Sequence, residues 1–115
     1  MSSPTQQRGY AAERRALRYL KKNGLRLICR QYQCRWGEID LIMRDQGYLV
    51  FIEVRYRQHH DFGTALDTIT LAKQHRIIKT AQFYLQQQQL YNQIDCRFDT
   101  IGINQQQIEW CQNAF

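Results

Sequence analysis

The spacing of hydrophobic and polar residues predicts two helices and five strands in the order α-β-β-β-α-β-β. Hydrophobic residues recur every three or four positions from about residue 5 to 23 and again after about residue 68, which is the period of an amphipathic helix. Runs over about residues 25–33, 38–44, 48–57, 96–103 and 107–111 are bounded by turn residues and predict strands. This order predicts one domain, residues 1–115, of the α/β or α+β class, with a mixed five-stranded sheet flanked by helices.

The same spacing predicts which face of each helix is buried. The apolar face of the first helix is predicted to carry Tyr10, Ala16, Leu17 and Leu20. The stripe of the second helix is predicted to carry Leu71, His75, Ile78, Ala81 or Gln82, and Leu85. The face turned away from that stripe is predicted to carry Lys73, Arg76 and Thr80.

Acidic residues interrupt two of these hydrophobic patterns. Glu13 projects from the apolar face of the first helix, where a glutamate is uncommon. Glu53 and Arg55 share one face of a strand that is otherwise apolar on both faces, which is typical of a central strand. A structural ion pair and a functional site explain Glu53 and Arg55 equally well, because a buried carboxylate persists when it is paired or binds a metal.

Asp40 is the third acid, and the loop of the hairpin decides whether it meets Glu53. An even-numbered loop pairs Asp45 with Tyr48 and puts Asp40 directly opposite Glu53, with Cβ atoms about 5 Å apart. A three-residue loop separates the two acids onto opposite faces unless a bulge restores the register. Asp40 is predicted to point away from the face that carries Ile39, Leu41 and Met43.

A facing pair of carboxylates predicts a cation site. Two like charges directly opposite each other are destabilising unless a cation lies between them, and carboxylate oxygens suit a hard divalent ion such as Mg²⁺. Such an ion activates water and offsets charge on a phosphodiester. Glu38 lies near the turn and is predicted to be a solvated or outer acid, and the run His59-His60-Asp61 is a weak signal for metal binding because it falls in a polar loop.

The net charge of +6 is unevenly distributed along the chain. Residues 1–35 hold nine basic side chains and one acid, whereas residues 36–115 hold seven basic and nine acidic side chains. This distribution favours contact with a polyanion through the N-terminal third, although a solvated basic helix face explains the charge alone slightly better. The sequence lacks an apolar run of the roughly 20 residues that a membrane span needs and a secretory signal, which predicts a cytoplasmic protein without a membrane partner.

The combination of these residues resembles a known family of small bacterial proteins, the YraN-type family. The resemblance lies in Gly37-Glu38-Ile39-Asp40-Leu41-Ile42 and Val50-Phe51-Ile52-Glu53-Val54-Arg55-Tyr56-Arg57, with Lys73 on a helix and Arg97-Phe98-Asp99 on a strand. It covers nearly the whole chain, from Gly9 and Ala12-Glu13 to Asn113-Ala114-Phe115.

The resemblance implies a restriction-endonuclease-like fold, close to Holliday-junction resolvases, with a PD-(D/E)xK site. Asp40 matches the metal-binding aspartate of that site, Glu53 matches its second acid, and Glu13 matches the helix-one glutamate of resolvase-like members. Arg55 stands where the motif has lysine, and an arginine can orient water or stabilise phosphate charge but is a poor base. Asp99 is predicted to be structural and paired with Arg97.

Three functions follow as expectations, in this order of preference. The first is a Mg²⁺- or Mn²⁺-dependent DNA endonuclease acting on branched or damaged DNA, with Asp40 and Glu53 as metal ligands and Glu13 and Arg55 assisting catalysis. The second is an inactive protein of the same fold that binds nucleic acid, and the third is a protein-interaction domain, which leaves the three acids unexplained. Resolvases imply a homodimer by analogy. The residues expected to contact DNA are Arg14, Arg15, Arg18 and Lys73.

Overall fold

All seven predicted elements are present in the computed structural model of the chain, which describes residues 4–57 and 69–115. The run His59-His60-Asp61 lies outside the described residues. The elements are α1 (Pro4–Lys22), β1 (Arg26–Cys34), β2 (Gly37–Asp45), β3 (Tyr48–Tyr56), α2 (Leu71–Gln87), β4 (Asp95–Ile103) and β5 (Ile108–Cys111).

The five strands form one mixed sheet in the order β1-β2-β3-β4-β5. Strands β3 and β4 pair in parallel, and the other three neighbouring pairs are antiparallel. A parallel pair needs a crossover connection, and helix α2 lies in the segment that joins β3 to β4. Strand β3 is central, as its two apolar faces predicted, and its residues from Leu49 to Glu53 are all buried.

The two helices pack on opposite faces of this sheet. In β3, Val50 and Ile52 join a core cluster with α1, whereas Leu49 and Phe51 join a second cluster with α2. Alternating strand residues point to opposite faces, so each face of β3 is covered by one helix. The helical members of the clusters are Ala12, Ala16, Leu17 and Leu20 from α1, and Ile77, Ala81, Tyr84 and Leu85 from α2.

The predicted apolar stripe of α2 is wrong by one position in its first half. Leu71 is 69% exposed and His75 is exposed, whereas Ile77 is buried and anchors the helix. Thr80 was predicted on the polar face but is fully buried, because its hydroxyl donates to the carbonyl of Arg76 one turn earlier (2.7 Å) and needs no solvent partner.

The predicted face of α1 is correct except at its first residue. Ala16, Leu17 and Leu20 are buried, but Tyr10 is 42% exposed. Tyr10 lines a surface cavity together with Glu13 instead of packing in the core.

The hairpin between β2 and β3 has the even-numbered loop. Asp45 pairs with Tyr48 across the two loop residues Gln46 and Gly47, and the ladder runs to the pair Leu41–Ile52. The next position on each strand is Asp40 and Glu53, so the register brings these two acids to the same end of the ladder. The condition that the sequence left open is therefore met.

The alternation of side chains along β2 is interrupted at Asp40, which the sequence pattern did not predict. Leu41 and Met43 pack on the α1 side, but Ile39 packs on the α2 side, so the three residues do not share a face. Beside this point, Gln31 of β1 has a φ of 52°, outside the extended region. A regular alternation of side chains is interrupted here, and Asp40 lies at the interruption.

Candidate functional site

Asp40 lies between two surface cavities. One cavity, of about 200 Å³, is lined by Asp40, Glu13, Tyr10 and Tyr56 among others. The second, of about 210 Å³, is lined by Asp40, Glu53, Lys73 and Arg76 among others. Glu38 lines both cavities as well, and it is exposed, as expected of an outer acid. Asp40 therefore links the helix-one acid to the acid of the central strand.

The carboxylate of Asp40, rather than a backbone carbonyl, accepts a hydrogen bond from the backbone of β3. Its Oδ2 accepts a hydrogen bond from the backbone N–H of Val54 (2.8 Å) at the place where the side-chain alternation of β2 is interrupted. Burial raises the pKa of Asp40 to about 8, and the negative charge of Glu53 adds to this effect. The Val54 hydrogen bond lowers the pKa, and the charges of Glu13 and Glu38 raise it further. A positive charge in this place would relieve the repulsion.

Glu53 is buried, and in the described part of the chain it contacts the cations Lys73 and Arg55. Its side chain is 6% exposed, and its Oε1 lies 2.8 Å from Nζ of Lys73 and 3.7 Å from a terminal nitrogen of Arg55. The predicted Glu53–Arg55 ion pair is present. The shorter contact is with Lys73, which lies 20 residues further along the chain on the other side of the undescribed segment.

Glu13 is buried on the α1 side of the same region, as its position on the apolar face predicted. Its residue is 6% exposed, and its Oε2 accepts a hydrogen bond from the amide of Gln31 (3.3 Å). Nε of Arg30 lies 3.6 Å from Oε1, too far for a good hydrogen bond. Within the described part of the chain, Oε1 of Glu13 is a buried oxygen that accepts no hydrogen bond.

The start of α2 fixes where Lys73 can reach. Thr70 caps the helix, and its Oγ1 accepts a hydrogen bond from the backbone N–H of Lys73 (3.1 Å). Further along, α2 approaches β2 closely at Gly37, where a Cβ would lie 3.1 Å from Oγ1 of Thr80. Gly37 also has a φ of 153°, which favours glycine. A side chain at position 37 would therefore press on Thr80 of α2.

The three arginines of α1 that were expected to contact DNA lie apart from the acids. Arg14 and Arg18 are exposed, and Arg15 donates a hydrogen bond to the carbonyl of Asn104 in the β4–β5 turn (2.6 Å). Among the described residues that line the two acid-lined cavities, none is Arg14, Arg15 or Arg18. Only Lys73, of the four expected contacts, belongs to the region around the acids.

Two residues near the acids, Gln31 and Arg30, were not singled out from the sequence, and Arg76 was predicted only to lie on the polar face of α2. Gln31 and Arg30 contact Glu13, and Arg76 lines the cavity of Glu53. For Arg30 the signal was a cation on a strand of alternating polarity. For Gln31 the sequence carries no signal, because its role follows from a positive φ that a glutamine rarely adopts.

These residues fit a hard divalent cation. Asp40 and Glu53 offer carboxylate oxygens in one cavity, and Glu13 adds a buried oxygen that accepts no hydrogen bond from the described residues. The pKa of Asp40 is raised first by burial and then by the negative charge of Glu53, and a cation would offset both effects. Within residues 4–57 and 69–115, no group of three or more His, Cys, Asp and Glu side chains forms a metal cage. Mg²⁺ is commonly bound by one or two carboxylates, with water and substrate phosphates completing its shell, so a cage is not required.

Fold and site together define a small α+β protein with a mixed sheet. Its central strand carries the buried Glu53, and the neighbouring strand carries Asp40, whose pKa is strongly raised. The chain belongs to the uncharacterised protein family UPF0102, whose profile matches residues 12–103. This match confirms the family membership that the resemblance to the YraN-type family predicted.

Relatives in this family are similar along almost their whole length. A UPF0102 protein of Coxiella burnetii (strain RSA 331 / Henzerling II) is 52% identical, with 99% of this chain and 96% of the relative covered. One of Psychromonas ingrahamii is 53% identical, with 94% and 88% covered, and one of Legionella pneumophila (strain Corby) is 48% identical, with 96% of each covered. In the described residues, no helix combines the length and apolar character that crossing a membrane requires.

Proposed function

We propose that the protein is a metal-dependent DNA endonuclease. The observation that carries this proposal is Asp40, a carboxylate with a pKa raised to about 8 that shares a cavity with the buried Glu53 and with Lys73. Strongly perturbed acids in a cleft are typical of catalytic sites. The resemblance to the PD-(D/E)xK nucleases supports the same reaction, and it supports a restriction-endonuclease-like version of the observed α+β fold.

Asp40 and Glu53 would hold Mg²⁺ or Mn²⁺. Such an ion supplies an activated water and neutralises charge on the phosphodiester. In this proposal the backbone N–H of Val54 orients the Asp40 carboxylate, since it holds Oδ2 at 2.8 Å. Glu13 reaches the same region from α1 and assists from the other cavity, where its Oε1 can accept a hydrogen bond from water.

The cations around the acids would bind the phosphate groups of the substrate. Arg55 and Lys73 flank Glu53, and Arg76 lines the same cavity, so positive charge surrounds the place where a phosphodiester would enter. Cations beside a paired-carboxylate site give a nuclease both attraction for phosphate and stabilisation of the charge that develops during attack.

One edge of α2 and the adjoining β1–β2 turn extend this basic surface. Lys79 lies on α2 with its ammonium 3.8 Å from the ring centre of Trp36, and the guanidinium of Arg35 lies 4.7 Å from the same ring. Trp36 directly precedes Gly37, which lines the Glu53 cavity. This surface is a better candidate for DNA contact next to the acids than Arg14, Arg15 and Arg18, which would bind only more distant phosphates.

A protein that binds DNA without cleaving it is the second candidate. Arg55 favours it, because the motif places lysine there and arginine cannot readily take up a proton. The two candidates share the fold and the basic surface and differ in whether the acids support hydrolysis. A homodimer, expected by analogy with resolvases, and a cytoplasmic location stay predictions under either candidate.

The test compares wild type with Asp40→Asn on nicked, flapped and four-way-junction DNA in Mg²⁺ or Mn²⁺. We expect wild type to cleave at least one of these substrates and the variant to be slower by about 10²–10³-fold, because the site loses one of the two carboxylates that would hold the metal ion. Asp95→Asn is the matched control, since Asp95 is exposed and outside both acid-lined cavities, and it should retain wild-type activity.

A binding measurement on the same DNA separates the two candidates. Binding that weakens steeply with salt, without cleavage by wild type, would replace the enzyme with the binding protein. A flat salt response would remove DNA as a partner altogether.

A further inference from the structure

Among the residues that the structure describes, Lys73 is the cation in closest contact with Glu53 of the candidate nuclease site. Its Nζ lies 2.8 Å from Oε1 of Glu53, within the range of a charge-assisted hydrogen bond. The terminal nitrogen of Arg55 lies 3.7 Å from the same oxygen, beyond that range. The residue at the motif position therefore makes the weaker contact with the acid.

The two cations also differ in their access to the cavity. Lys73 lines the cavity together with Asp40 and Glu53, and its side chain is 35% exposed, so a molecule in the cavity can reach its ammonium. Among the described residues, those that line this cavity do not include Arg55. An ammonium group carries three donors, and Glu53 uses one, which leaves donors for a water or a phosphate oxygen.

Two contacts, one at the N-cap of α2 and one in its third turn, hold Lys73 in this position. The Thr70 cap fixes the backbone N–H of Lys73, and the close approach at Gly37 fixes the distance between α2 and β2. A long flexible side chain is useful for catalysis when its backbone and its charged end are both held, because less ordering remains to be done when substrate binds.

We infer that Lys73, supplied by α2, performs the role that the nuclease motif assigns to the residue at position 55. In this role its ammonium orients the attacking water and stabilises negative charge on the phosphate, while Glu53 holds the ammonium in place. The inference rests on the proposed nuclease function and adds the positioning residue that Arg55 does not provide.

The test exchanges the two cations in a cleavage assay under single-turnover conditions. Lys73→Gln should reduce the cleavage rate by about 10²–10³-fold, as loss of one positioned donor does, and Arg55→Gln should reduce it by less than about tenfold. Adding Arg55→Lys to Lys73→Gln should restore at least about tenfold, because lysine then stands at the motif position on the same acid. Lys21→Gln, the same change on an exposed lysine of α1, should leave the rate unchanged.

DNA binding without turnover supplies a readout besides activity. In Ca²⁺, affinity for the same DNA should change by less than about threefold between wild type and Lys73→Gln, because one phosphate contact contributes little beside the whole surface. A loss of affinity that equals the loss of rate would assign Lys73 to substrate binding and overturn the inference. Thermal melts of each variant verify that it is folded.

The failures of the two proposals are distinguishable. If wild type cleaves and Arg55→Gln loses as much activity as Lys73→Gln or more, the role assigned to Lys73 is wrong and the nuclease stands. If wild type cleaves no DNA while it binds DNA, the nuclease function fails and the role of Lys73 fails with it.

Discussion

At pH 8 and without divalent metal, Asp40→Asn should melt at a higher temperature than wild type. Folding raises the pKa of Asp40 from its usual 3.8 to about 8, so the folded state must bind a proton or carry a repelled charge. Between these values the unfolded chain holds less proton than the folded one, so wild type loses stability as pH rises. Asparagine removes this penalty and can still accept the hydrogen bond from Val54.

The size of the effect follows from the pKa window. From pH 5 to pH 8, the free energy of unfolding of the variant should rise by about 2–4 kcal/mol relative to that of wild type, since one pKa unit corresponds to about 1.4 kcal/mol. In thermal melts this is a difference of about 8–15 °C that is largest at pH 8 and shrinks towards pH 4.

A divalent metal should reverse this order. In millimolar Mg²⁺ or Mn²⁺ at pH 8, wild type should gain stability because the ion binds the folded state, whereas Asp40→Asn should gain little. Asp95→Asn is the control for the loss of one exposed carboxylate. A difference between wild type and Asp40→Asn that stays constant from pH 5 to pH 8 would contradict the raised pKa of Asp40.

Asp99→Ala should be strongly destabilising, by about 3–5 kcal/mol, because it removes the fully buried one of the two carboxylates that pair with the largely buried guanidinium of Arg97. Asp99 is fully buried and accepts hydrogen bonds from Nε and a terminal nitrogen of Arg97 (2.9 and 3.0 Å), which confirms the predicted pair. It also accepts from the indole of Trp110 (3.0 Å) and the backbone N–H of Asn113 (2.9 Å). Arg97 also forms an ion pair with Asp45 at the β2–β3 hairpin (3.0 Å), so the network joins β2, β4, β5 and the C-terminal segment.

Chemical denaturation measures this loss, with Asp95→Asn on the same strand as the control, which should stay within about 0.5 kcal/mol of wild type. If Asp99→Ala does not fold, Asp99→Asn retains the shape and should still lose more than about 1 kcal/mol. A loss below that value for either variant would mean that Arg97 and Trp110 find other partners.

The fold was largely predictable from local patterns, and the alignment of the acid pair was predictable on the condition that the hairpin loop is even-numbered. Two apolar faces identify β3 as central, and a two-residue loop sets the register that aligns Asp40 with Glu53. Glu13 was predictable because a helix repeats every 3.6 residues and an acid on the buried face stands out. Each of these inferences needs only neighbours in the chain.

The remaining features depend on how distant elements dock, which periodicity does not determine. The α2 stripe was ambiguous because Ile77 and Ile78 are adjacent, and the approach to Gly37 selects the face with Ile77 and Thr80. The interrupted alternation at Asp40 accompanies the positive φ of Gln31, which has no sequence signal. The contact of Lys73 with Glu53 joins two elements across the undescribed segment, so the sequence could suggest only that Lys73 comes near the site.

A crystal structure of the wild-type protein soaked with Mn²⁺, with anomalous data, tests most directly whether Asp40 and Glu53 hold one divalent ion. The expected result is an anomalous peak within about 2.0–2.6 Å of a carboxylate oxygen from both residues, the range for hard cations on oxygen ligands. A cavity without such a peak, with Lys73 still bound to Glu53 and Mn²⁺ absent or bound elsewhere, would contradict a shared metal site and favour the protein that only binds DNA.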